Sequence, residues 1–169
     1  MRYIALLRAV NVGGTGALPM AELRSMCVDA GFSRVETYIA SGNAIFDSKA
    51  AAARVKAELE LRLLAYASKP VGVVVRTAAE MAGVLDAIPF GPNEPRHTYV
   101  LFLDARPPHD ALDRAAGLNG ERLALGEREI FIQYPTGMGR SRLRIPAAKI
   151  GTARNLNTVA KLAELAAKR

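Results

Sequence analysis

The chain has 169 residues, half of them hydrophobic and 23% charged, with one cysteine and no tryptophan. This balance fits one globular domain or two small subdomains around an aliphatic core, and it excludes a disordered tract and a disulfide-stapled scaffold. The net charge of +7 is localised: between Ile130 and Ala163 stand Arg140, Arg142, Arg144, Lys149, Arg154 and Lys161 without a single Asp or Glu, and the rest of the chain is near neutral.

Residues 2–8 (RYIALLR) form a strand pattern, which leaves no room for the n- and h-regions of a signal peptide. No apolar run approaches the ~20 residues that span a bilayer. With Cys27 alone, these features predict a cytoplasmic protein without membrane attachment. Pro19 suits the first position of a helix, in which Met20, Leu23, Cys27 and Ala30 recur at helical spacing up to a stop at Gly31. Residues 34–39 alternate as a strand, Ser41-Gly42-Asn43 makes a tight turn, and residues 44–47 return. A helix over 48–66 shows Val55, Leu59, Leu63 and Tyr66 on one face, and residues 70–76 (PVGVVVR) form a β-branched strand.

The resulting βαββαβ order is that of a ferredoxin-like, or split βαβ, unit. Its strands are apolar on both faces, so the helix-free face is expected to be covered by the rest of the chain or by a second subunit in a homodimer. The second half opens with a helix over 77–87 capped by Thr77. A Pro/Gly-rich loop at 89–95 divides the chain into subdomains 1–88 and 89–169. A strand at 97–103, a short helix over 109–116, a hairpin of 122–125 with 129–134, a basic loop and a final helix over 155–167 follow. The expected fold is α+β, with two ferredoxin-like subdomains packed together.

Residues 135–144 (PTGMGRSRLR) resemble a phosphate loop only superficially. A Walker A motif needs glycine where Tyr134 stands and lysine where Arg140 stands, and Pro146 opposes a helix directly after it. The residue types still suit an anion: Gly137 and Gly139 allow close backbone approach, Arg140 and Arg142 offer bidentate forks, and Ser141 adds a neutral donor. A solvated loop whose arginines only maintain solubility is the alternative. Lys149, Arg154, Asn155 and Asn157 extend the candidate anion site to the start of the last helix, where Asn155 or Asn157 would also act as N-cap.

The loop after the first strand (8–19) has Gly14 and Gly16 at dinucleotide-fingerprint spacing but Pro19 at the third position, so a Rossmann site is rejected. Arg8, Asn11, Gly13 and Gly14, with Ser41 and Asn43, are candidate ligand-lining residues if the two halves face each other. Cys27 lies on an apolar stripe and reads as inert core. His97 and His109 lack metal-ligand spacing, and no metal site is expected. No cofactor or catalytic base can be named.

Taken together, residues 3–8 with 11–14, 19–23 (PMAEL), 37–43 (TYIASGN), 134–137 (YPTG) and 154–159 (RNLNTV) resemble the bacterial domain-of-unknown-function 1697 family over nearly the whole chain. Leu156 stands where that family commonly has tryptophan, and Ala153 where it has threonine. The resemblance implies a two-part α+β fold with ferredoxin-like subdomains and no known reaction. The leading expectation is an uncharacterised protein that binds a phosphorylated or otherwise anionic small molecule or nucleotide. The alternatives are nucleic-acid binding through a basic patch and a stacking sheet, phosphoryl or nucleotidyl transfer with metal ligands such as Glu36 or Asp47, and a structural protein that dimerises through the sheet.

Overall fold

In the first half, elements form where local signals agree with burial. The computed structural model describes residues 1–12, 16–91 and 95–169. Strand β1 (Arg2–Leu7) leads to α1 (Met20–Asp29), then β2 (Ser33–Thr37), β3 (Asn43–Asp47), α2 (Ala52–Ala67), β4 (Val73–Thr77) and α3 (Ala78–Asp86). Pro19 takes the N-cap position of α1, one residue earlier than expected. Gly31, at φ +86°, follows the helix where only a residue free of Cβ strain sits comfortably. Thr77 and Glu80 form a reciprocal capping box at α3: the Glu80 N–H donates to Thr77 Oγ1 at 3.1 Å, and the Thr77 N–H to the Glu80 carboxylate at 2.8 Å.

The chain divides into two compact units, residues 1–82 with 162–169, and residues 83–161. In the first, the sheet order is β2-β3-β1-β4, with every neighbouring pair antiparallel. Tyr3, Ala5, Leu7, Phe46, Val73 and Val75 share one core with Leu23, Cys27, Val55, Leu59 and Leu63 from the helices. Phe32 stacks on Phe46 with ring centroids 4.4 Å apart. The opposite face is closed to solvent as well: Ile4, Leu6, Ile45, Val74 and Arg76 are all at most 3% exposed. Strands apolar on both sides are therefore buried on both sides.

The second unit repeats this strand plan with fewer helices. Strands β5 (Thr98–Phe102), β6 (Arg122–Leu125), β7 (Glu129–Gln133) and β8 (Thr152–Asn155) pair antiparallel in the order β6-β7-β5-β8, and α4 (Leu156–Ala167) follows directly. Each strand occupies the place of its counterpart in the first sheet. One face carries a core of Leu101, Leu103, Ile130, Ile132, Tyr134 and Ile145. Val100, Phe102 and Phe131 are buried on the other.

Two expectations for this half are corrected. Residues 109–116 form successive turns, with the Ala111 N–H donating to Pro108 and the Arg114 N–H to Asp110, and no α-helix. The Ala116–Arg144 bridge and Gly117, at φ +74°, close the segment before a helix can extend. Residues 152–155, read as loop and helix start, are β8. The string TARN has no apolar alternation, and it becomes a strand by pairing with the edge of β5.

Candidate functional site

A cleft of about 460 Å³ opens in the second unit between the loop before β6 and the loop after β7. The two loops are joined by a small antiparallel bridge. The Ala116 N–H donates to the Arg144 carbonyl at 2.9 Å, and the Arg144 N–H returns to Ala116 at 2.8 Å. Gly117 makes this approach possible, because a Cβ there would lie 2.1 Å from the Arg142 carbonyl oxygen. A turn of 3-10 helix at Met138–Arg140 then carries the chain around the rim.

Of the expected anion-binding residues, Gly137, Arg140, Ser141 and Arg142 meet on the lining of this cleft. Both arginines are exposed. Ser141 has a different role from the one expected. Its hydroxyl donates to Glu121 Oε1 at 2.6 Å and accepts from the Leu143 N–H at 3.1 Å. The other Glu121 oxygen accepts from the Asn119 N–H. The Ser141 hydroxyl, with the Asn119 N–H, holds the Glu121 carboxyl below the usual carboxylate range. A stretch free of acids in sequence is thus met by an acid in space. Gly117, Asn119 and Glu121 were not anticipated; the turn-rich string Gly117-Leu118-Asn119-Gly120 was their available signal.

The remaining members of the expected set lie elsewhere. Gly139 belongs to the 3-10 turn without lining the cleft, and Lys149 is exposed at the end of the 3-10 helix Pro146–Lys149. Arg154 is on β8 opposite Val100, so it belongs to the sheet face that carries Phe131, not the Leu101–Ile145 core side. Its guanidinium is buried, donates to Thr152 Oγ1 at 2.7 Å and to the Ala153 carbonyl at 2.9 Å, and burial lowers its pKa to about 10. Asn155 is the N-cap of α4, its Oδ1 accepting the Thr158 N–H at 2.9 Å, and Asn157 is exposed in the first turn. Among the described residues, the lining of this cleft thus takes in the loop and not the helix start.

In the first unit, the asparagines hold loops. The Asn11 amide donates to the Leu18 and Ala40 carbonyls at 2.8 and 2.7 Å, while its oxygen accepts the Leu18 N–H at 2.6 Å. Asn43 is fully buried; its amide donates to the Tyr38 carbonyl and to Ser41 Oγ. Arg8 lines a cleft of this unit, and Gly13 and Gly14 lie outside the described residues. Cys27 is sealed in the core, where burial pushes its thiol up to about 12. Asp47 is held by Arg2 and Arg34 at 3.3 and 2.6 Å. Among the described residues no group of three or more His, Cys, Asp or Glu side chains is placed to hold a metal, and no helix is long and apolar enough to cross a membrane.

A family model described as protein of unknown function (DUF1697) matches residues 1–131. No curated protein matches the chain. Among solved structures, that of conserved bacterial protein SP0830 from Streptococcus pneumoniae is similar, with a TM-score of 0.80 and 24% identity over 98% of each chain. At that identity the likeness establishes the fold.

Proposed function

The chain belongs to the DUF1697 family of proteins of unknown function, and we propose that it binds a small anionic molecule, a phosphorylated metabolite or nucleotide, in the cleft of its second unit. The observation that carries this reading is the meeting of Arg140 and Arg142 on one lining with Gly137 and with the Gly117 turn. Two exposed guanidinium forks beside glycine backbone provide the planar, bidentate donors that match phosphate oxygens. Glu121 braces the loop through Ser141, and its charge offsets one of the two cations.

The signs of three substitutions follow. A cation about 4 Å from an anion contributes ~1 kcal/mol in water and more where water is partly excluded. Arg140→Ala and Arg142→Ala should therefore each weaken binding about tenfold by isothermal titration against phosphate-bearing metabolites. Glu121→Gln, which removes the one carboxylate among the described lining residues, should tighten it. If the arginine double variant keeps every affinity of the unmodified protein, this cleft is not the site.

A further inference from the structure

The first unit holds a larger cleft, about 610 Å³, between the start of the β1–α1 loop and the turn from α2 into β4. We propose that it binds a small molecule that joins an anionic group to a flat apolar body. Its volume lies in the range that encloses drug-sized ligands, ~300–1,000 Å³. Among the described residues the lining contains two cations, Arg8 and Lys69, and no Asp or Glu. Val10, Leu18 and Leu63 supply a buried apolar wall, and Tyr66, 45% exposed on the last turn of α2, offers a ring against which a planar group can stack.

Electrostatics and backbone both point to the same place. α2 ends here, and its last carbonyls carry about half a negative charge. Arg8 and Lys69 stand on the same lining, and a guanidinium with an ammonium is the pairing of donors that recognises an anionic group. The backbone that forms the wall is held out of its comfortable range: Ala9 and Asn11 have φ of 52° and 54°, in the left-handed region. That conformation costs an alanine roughly 1–2 kcal/mol. The three hydrogen bonds of the Asn11 amide to Leu18 and Ala40 hold it in place, and they set Val10 and Leu18 on one wall. Backbone strain of this kind clusters at ligand clamps and active sites, where the surrounding structure holds it in place.

The test is a set of amide NMR titrations of the full chain with 2-naphthoate and with AMP, each an anion on a flat body. Adenosine and inorganic phosphate serve as the two halves of AMP. At least one of the first two probes should give saturable shifts at Gly16, Ala17, Ala67 and Gly72, at least tenfold tighter than inorganic phosphate and, for AMP, than adenosine. Naphthoate alone would identify a carboxylate ligand, AMP alone a nucleotide. Lys69→Gln, Arg8→Gln and Tyr66→Ala should each weaken binding about tenfold. Lys69 and Tyr66 are exposed, so their variants keep the fold and decide the matter if Arg8→Gln does not. Absence of saturable shifts at these amides, or affinities unchanged in the variants, overturns the proposal. Shifts confined to Gly117, Asn119 and Gly137 also overturn it while supporting the second-unit site, so the two readings fail separately.

Discussion

Replacing Gly117 with alanine tests the construction of the second-unit cleft. At φ +74° an L side chain is strained by roughly 1–2 kcal/mol, and the new Cβ would sit 2.1 Å from a backbone oxygen that no rotamer change can move. The loops must separate, and the two bridge hydrogen bonds between Ala116 and Arg144 are lost, each with a net value of about 0.5–1.5 kcal/mol. The total is about 3 kcal/mol, which for a chain of this size lowers the melting temperature by roughly 6–12 °C. Gly139→Ala is the control: nothing lies within 4 Å of its Cβ and its φ is not positive. That substitution should be neutral or stabilising by about 0.4–1 kcal/mol. Thermal melts of both variants, with hydrogen exchange at the Arg144 amide, decide the point. Equal melting temperatures, with the Arg144 amide still protected in Gly117→Ala, would refute the close approach on which the cleft depends.

Two further predictions concern the first unit. Arg34, with a smaller contribution from Arg2, holds the Asp47 carboxyl below its ordinary range. The stabilisation this gives is present above the unfolded carboxylate pKa of about 3.9 and lost as pH falls through the lower folded value. The melting temperature of the natural chain minus that of Asp47→Asn should stay level from about pH 5 to 8 and shrink below about pH 4; a difference that persists in acid contradicts the pairing. Cys27, buried and with its thiol pushed up to about 12, should react with iodoacetamide at pH 8 only through unfolding. Its rate should be slower than in urea by about a thousandfold or more; comparable rates would show that the α1 core is open.

The elements most legible in sequence are those whose pattern and punctuation agree. β1, β3, β4 and β7 are apolar runs bounded by turn residues, and α2 carries Val55, Leu59 and Leu63 at helical spacing. Thr77 was readable as the cap of α3 from its hydroxyl, and Glu80 three residues on completes the box. Where periodicity fails, so does the reading: residues 109–116 contain enough alanine and leucine for a helix but are closed off by the Ala116–Arg144 bridge, and β8 contains nothing that marks a strand. With residues 152–155 read as loop and helix start, Arg154 stands beside the free N–H groups of the last helix; as part of a strand, it is buried on a sheet face.

The sequence by itself determined the clustering of positive charge, the order of most elements, the burial of strands on both faces and the inert setting of Cys27, because each depends on composition or on neighbours a few residues apart. Tertiary structure alone decided which groups meet. Glu121 reaches Ser141 across twenty residues, Gly117 lets one loop touch another, Arg154 leaves the basic window for a buried face, and Arg8 joins Lys69 and Tyr66 from distant segments. Such encounters depend on strand register and on loop closure, and neither is written in any local pattern.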